Sequence, residues 1–250
     1  MDLRWEILVG YGPLFVTGLW MTVQLTLVAI VCGLVLGVLF GLVSSSSDAP
    51  PLKSIALAWA LRLARAFTVA YVTFFRGTPL FVQILLVHFA VMPLLVHPDT
   101  GLLLAGESAR EFRQSHGAFF SGALALSLNA GAYISEIFRA GIQSIHLGQT
   151  QASYSLGLTH AQAMRFIVLP QAFRRMLPAL VNEGITLIKD SSLVSAIGLA
   201  ELAMAARTVA GAYSRYWEPY LTISVMYLVL TLLLSLLAKR LEAPAHHRGR

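Results

Sequence analysis

QASYSLGLTHAQAMRFIVLP, residues 151–170, is the long polar interruption in a chain that is otherwise mostly apolar enough to lie in a bilayer. Gly157 at its middle lets the backbone turn without a Cβ penalty. Thr159 and Gln162 have the spacing of a capping box, in which the hydroxyl accepts from the third helical amide while the glutamine side chain reaches back. A helix is therefore expected to start just after the bend. Ala161, Met164 and Val168 recur at helical spacing, and Pro170 is expected to end the segment. The stretch reads as helix, bend and helix with one apolar edge.

Working outward, the neighbouring segments are long and apolar. Residues 117–137 form a span with Asn129 inside it, and residues 176–200 form another that carries Asn182, Glu183, Lys189 and Asp190. Residues 79–96 are just long enough to cross, with Gln83 and His88 as interruptions, and residues 220–238 add a further span. A lone histidine on an apolar helix reads as a packing residue. Residues 14–43 contain no charged side chain and exceed the ~20 needed to cross the hydrocarbon core. In that run Gly33, Gly37 and Gly41 form a smooth strip for a close helix neighbour, with packing inside the subunit as the expected use. Residues 53–76, with Lys53, Arg62, Arg65 and Arg76, read as an amphipathic helix skirting the membrane, and 44–51, 97–116 and 201–219 as polar breaks or loops. The fold class is all-α: one polytopic membrane domain over 1–250, with five transmembrane helices and the 151–170 loop on one side.

Composition supports this reading, because 57% hydrophobic against 12% charged residues is far from the balance of a soluble domain. The net charge of +6 does not point to nucleic acid, since the charges cluster beside the spans. Segments 44–76, 139–175 and 239–250 each hold four Lys or Arg and share only Asp48 and Glu242 as acids. By the positive-inside rule all three are cytoplasmic, which puts the N-terminus outside and the C-terminus and the 151–170 loop inside. Asp2 and Glu6 replace the basic start of a cleaved signal, so the first span is expected to remain. The single Cys32 offers neither a disulfide framework nor metal-ligand spacing, and His246 and His247 read as solvated tail residues.

Charges inside a span cost roughly 2.5–3.5 kcal/mol each at a helix centre, so they face protein or a water-filled path. Glu183 and Asp190 are seven apart and share a helical face with Leu187, while Lys189 points elsewhere. A zwitterionic amino acid needs an acceptor for its ammonium and a donor for its carboxylate, and this group contains both. Two readings of Glu183 stand level: contact with such a cargo, or an interhelical network with no ligand. For Lys189 and Asp190 the network is the favoured reading.

The 151–170 stretch resembles the coupling loop of importer-type ABC permeases, with Gly157, Ile167, Leu169 and Pro170 at the intervals of that pattern. Gln151 stands where the pattern has Glu and Ser153 where it has Ala, which removes an ion pair at that point. The resemblance implies docking on a cytoplasmic ATPase through Gln151, Ala152, Ser153, Gly157, Leu158, Ile167, Leu169 and Pro170. The strings FFRGTPLFVQ (74–83), SLNAGAYISEIFRAGIQSI (127–145), LPQAFRRMLPAL (169–180) and LIKDSSLVSAIGLAEL (187–202) are similar to the polar amino acid permeases of the histidine and glutamine uptake type. That implies the type I ABC importer permease fold in a bacterial inner membrane. It also implies a second permease, identical or homologous, two ATPase subunits holding ATP and Mg²⁺, and an extracytoplasmic solute-binding protein. Cargo would pass near Asn129, Glu183, Lys189, Asp190 and Ser191, with basic or neutral amino acids favoured. The chain has no GxxxxGK[ST] loop, so no catalytic residue and no cofactor is expected in it. The competing readings are an ATP-independent secondary carrier, which normally has internal repeats, a channel subunit, and an intramembrane enzyme, for which neither HExxH nor GxSxG is present.

Overall fold

Long helices dominate the computed structural model, which describes residues 3–45 and 55–246, with side chains up to residue 240. Helices Gly12–Ser45, Ile55–Gly77, Gly117–Gln143 and the 217–240 part of Trp217–His246 are long and apolar enough to cross a membrane. A fifth candidate is His160–Ile197 taken together with Leu202–Tyr213, a pair bent by 51° at its break. No strand occurs among the described residues beyond an isolated bridge between Val96 and Leu104.

Five candidate spans are thus available by length and composition, and the segment expected to skirt the membrane is among them. Ile55–Gly77 forms a single helix of 23 residues with a mean hydropathy of 1.4 in its most apolar window, so it qualifies as a span and not only as a surface helix. Arg62, Arg65 and Arg76 lie on it, where long side chains can lay their apolar stems along the surface and extend their charge toward water. Leu80–Leu95 is the shorter helix, at about 24 Å by helical rise against a ~30 Å hydrocarbon core. The polar break at 46–51, Lys53 and His247 lie outside the described residues, as does the side chain of His246.

Two segments expected as loops are partly helical. Gly106–Ser115 buries Ala109 against Met92 and Val96, and Leu202–Tyr213 buries Leu202, Ala205, Ala206 and Val209 against Phe15 and Ile223. The first face turns on a single buried alanine and the second mainly on alanines, too small to stand out from a mixed sequence.

Two compact units divide the chain: 1–31, 78–127 and 184–236 in the first, 32–77, 128–183 and 237–250 in the second. The core of the first centres on the Phe15, Leu202 and Ile223 cluster. In the second, the glycine strip serves the subunit itself. A Cβ on Gly37 would come within 2.4 Å of Ile134 Cγ2, and one on Gly41 within 2.6 Å of Phe138 Cβ. Tyr71 completes this core, donating to the Leu128 carbonyl at 2.6 Å and packing its ring on Phe40 at 4.5 Å.

Pro170 does not end its helix. The backbone continues to Asp190 because a π-helical stretch, Met164–Val168, precedes the proline. Proline lacks the amide for an i−4 bond and its ring crowds that carbonyl, and a π turn loosens the crowding. Gln171 then donates its side-chain amide to the Ile167 carbonyl at 2.8 Å. The same device precedes Pro93, where Val87–Val91 is π-helical.

Candidate coupling loop and polar positions in the spans

Helix Leu147–Ser155 ends in a Schellman pattern: Leu158 donates to the Ser153 carbonyl at 3.1 Å and Gly157 to that of Tyr154 at 2.9 Å. Gly157 has φ +82°, the left-handed conformation that this ending requires and that glycine adopts without strain. The next helix starts at once. The Thr159 hydroxyl accepts from the Gln162 amide at 3.3 Å and the Gln162 side chain accepts from the Thr159 amide at 2.8 Å, so the capping box is complete. Tyr154 and His160 share a hydrogen bond of 2.8 Å across the bend. Two interlocked caps and one cross-link define the turn.

Beneath the bend lies a concavity of about 400 Å³ walled by Ile142, Ile145, Met164 and Val168. Of the expected apolar edge, Val168 is buried and Met164 half-buried, but Ala161 is exposed and Ala163 takes the inward position. The motif residues divide by role. Ser153 is buried and donates to the Thr150 carbonyl, while Ile167, Leu169 and Leu158 are half-buried within the loop's own packing. Gln151, Ala152, Gly157 and Pro170 face outward. Leu156, which the sequence reading passed over, is 82% exposed beside Gly157. Its signal was available as a large apolar residue immediately before a glycine bend in a polar loop.

Asn129 and Glu183 belong to the second unit; Lys189, Asp190 and Ser191 belong to the first. Asn129 is buried and donates to the Phe75 carbonyl at 3.2 Å. Ser191 is buried and donates to the Ile188 carbonyl at 2.7 Å, where the helix tightens into the 3₁₀ stretch Ser191–Ile197. Glu183 and Asp190 are half-buried on the face of the buried Leu187, as their spacing implied, and Lys189 is exposed.

Sequence reasoning missed Glu201, placed at the head of a supposed loop. Its side chain has 0% exposure and ties three elements of the first unit together. Tyr227 donates to Oε2 at 2.7 Å, Thr22 to the same oxygen at 3.4 Å, and the Met204 amide to Oε1 at 2.9 Å. Glu218, equally buried, accepts from Arg215 at 2.6 and 2.8 Å and from the Arg4 amide at 2.9 Å. No group of three or more His, Cys, Asp or Glu suited to a metal occurs among the described residues.

A family model described as the binding-protein-dependent transport system inner membrane component matches residues 54–245. The arginine transport system permease protein ArtQ of Bacillus subtilis is 34% identical over 242 residues, covering 97% of both chains. The glutamate/aspartate import permease protein GltK of Escherichia coli is 36% identical over 241 residues, 96% of this chain and 97% of that one. Among solved structures, an amino acid ABC transporter crystallised with histidines aligns over 98% of this chain and 100% of its own, with 36% identity and a TM-score of 0.77. The inward-facing methionine transporter MetNI shares the fold, at 21% identity and a TM-score of 0.68 over 92% of this chain and 95% of its own.

Proposed function

Because this chain belongs to the family of binding-protein-dependent transport system inner membrane components, we propose that its 151–170 loop is the element through which an ATPase drives it. The chain is a membrane-spanning permease subunit of an ABC importer for amino acids. ATP and Mg²⁺ would be held by two ATPase subunits, and a second permease, identical or homologous, would complete the path. An extracytoplasmic binding protein would deliver the cargo. The N-terminus would lie outside and the C-terminus inside, which sets the loop on the ATPase side.

The observation that carries this reading is the bend itself. A doubly capped turn with Leu156 82% exposed at its corner is a rigid apolar knob, suited to a groove on a partner. Closure of the ATPase pair would move the two loops and swing the spans, and hydrolysis would reset them. Glu183 is the residue proposed to face the cargo, and its carboxylate favours a basic or neutral amino acid by charge. The named relatives carry arginine in one case and glutamate or aspartate in another, so this preference rests on that carboxylate alone.

Co-purification in mild detergent tests the coupling role. An ABC ATPase is expected to remain bound to the wild-type chain and to be lost with Gly157→Pro, whose fixed negative φ excludes the observed +82°. Retention of the ATPase by a folded Gly157→Pro chain would remove the loop from the coupling path, and flux without ATP would favour a channel or carrier.

A further inference from the structure

Helix Gly106–Ser115 packs Ala109 and Phe112 on Met92 and Val96. Arg113 and Gln114 follow Arg110 at spacings of three and four, which places the three together on a neighbouring face. With His88, Met92 and Pro98 they line a concavity of about 340 Å³ inside the first unit. The backbone holds its wall in place: Leu102 and Leu103 donate to the Leu94 and Leu95 carbonyls at 3.0 and 2.8 Å, and Gly106 to that of Pro98 at 2.8 Å. The cleft is formed without a ligand.

Its lining holds two guanidiniums and no carboxylate. Glu107 and Glu111, the acids of the helix, are not part of that lining, and Glu107 approaches Arg110 only to 3.7 Å with side chains 86% and 60% exposed, an ion pair of little worth. Among the described residues the Arg113 guanidinium and the Gln114 amide have no hydrogen-bond partner. Arg113 stands within electrostatic reach of His88. That ring is fixed through Nδ1, 2.9 Å from the Ser121 hydroxyl, so Nε2 is the nitrogen left for a ligand. His88, a packing residue by sequence, thus has one nitrogen in the packing and one to spare. Donors without acceptors, in a cleft already formed, call for an anion. The volume is close to the lower bound of about 300 Å³ for ligand sites, so the anion is a small molecule. A planar guanidinium binds a carboxylate through paired N–H groups, and Met92 and Pro98 offer apolar surface to a short aliphatic body beside it. An importer of amino acids meets that combination in every free amino acid.

We propose that this cleft binds the α-carboxylate of a free amino acid, as a site separate from Glu183 and built within the first unit alone. Its place on the outer face rests on the orientation proposed above; its chemistry does not. The test uses the purified assembled transporter without its binding protein, treated with phenylglyoxal, which modifies guanidiniums, and read residue by residue by mass spectrometry. Glutamine is the probe, because it carries the carboxylate and no guanidinium of its own, and 4-aminobutanamide is the same molecule without the carboxylate. Arg110 and Arg113 are expected to react about tenfold more slowly at about ten times the half-protecting glutamine concentration, whereas 4-aminobutanamide leaves their rates unchanged. Arg207, exposed in the same unit, should keep its rate throughout and so reports the free reagent. Gln114→Glu puts a carboxylate into the lining at an exposed position, and should cut the protection to less than about twofold while Tm holds. Inorganic phosphate runs in parallel: protection by phosphate and none by glutamine would overturn the assignment to an amino acid. So would equal protection by glutamine and 4-aminobutanamide, or protection by neither. Protection that appears only with the binding protein present would overturn it too, by making the cleft a docking surface. Absent protection would leave the orientation standing, and an inverted orientation, read from cysteine accessibility, would leave the carboxylate site standing.

Discussion

Glu201 sets three hydrogen-bond donors from three separate segments on one buried carboxylate, so each donor's loss has a separate price. Tyr227→Phe removes a single hydroxyl whose bond to Glu201 measures 2.7 Å, and should cost about 1 kcal/mol, or roughly 2–4 °C in Tm for a chain of this size. Glu201→Ala strands the Tyr227 and Thr22 hydroxyls and the Met204 amide together. Its loss should be at least twice as large, with Glu201→Gln between the two, because the amide oxygen still accepts from Met204. Thermal unfolding of the three variants in one detergent checks the order, and an Ala variant as stable as Phe would mean that the carboxylate is not the tie. Glu183 poses a different question, because its half-buried side chain is proposed to meet cargo. A charge-assisted bond to a substrate cation is worth about 1.5–3 kcal/mol, so Glu183→Gln should raise the KM for transport of a basic amino acid by about ten- to a hundredfold. Unchanged transport and unchanged substrate-stimulated ATPase activity would leave Glu183 as part of the scaffold.

Among the elements, the 151–170 loop was the most legible in sequence, and the reason is physical. A left-handed glycine and a capping box are decided within a few residues of backbone, so Gly157, Thr159 and Gln162 announce their geometry without help from the rest of the chain. Helix 202–213 depends on a distant partner surface, Phe15 and Ile223, and its alanine-rich face gave no strong period. Pro170 misled for a related cause: its local tendency to stop a helix is overridden by a π turn that the sequence does not mark. Helix 55–77 carries both signals at once, an apolar length that suits a span and three arginines that suit a membrane surface, and local sequence does not rank them. These distinctions separate fold from function in the loop. Thr159→Ala loses a cap and should cost about 1 kcal/mol while leaving ATPase coupling largely intact. Leu156→Arg touches an 82% exposed side chain, so Tm should hold while substrate-stimulated ATPase activity falls at least about tenfold, the worth of one buried leucine at an interface. Should Leu156→Arg couple normally, the knob would have to be sought elsewhere on the loop.

At the scale of the molecule, the number of spans was readable from apolar length, and their identity depended on which charged residues a helix can carry. Arg76 lies 3.4 Å from Glu136, near the end of helix 117–143 that leads into the 151–170 loop, which agrees with a basic 44–76 segment on the same side as that loop. The segments 139–175 and 239–250 keep their basic excess, and five spans still place the two ends on opposite sides. By the charge argument the 97–116 segment would lie outside, with helix 106–115 and the exposed Leu102, while Leu156 would lie inside. Cysteine accessibility separates the two faces once Cys32, the chain's single cysteine, is replaced by serine. Leu102→Cys and Leu156→Cys both sit at exposed positions, so neither change should disturb the fold. A membrane-impermeant maleimide should label Leu102→Cys in intact cells and reach Leu156→Cys only after permeabilisation. The opposite pattern would invert the whole chain and take the loop away from any cytoplasmic ATPase, and labelling of both in intact cells would place the two on the same side and require an even number of crossings between them.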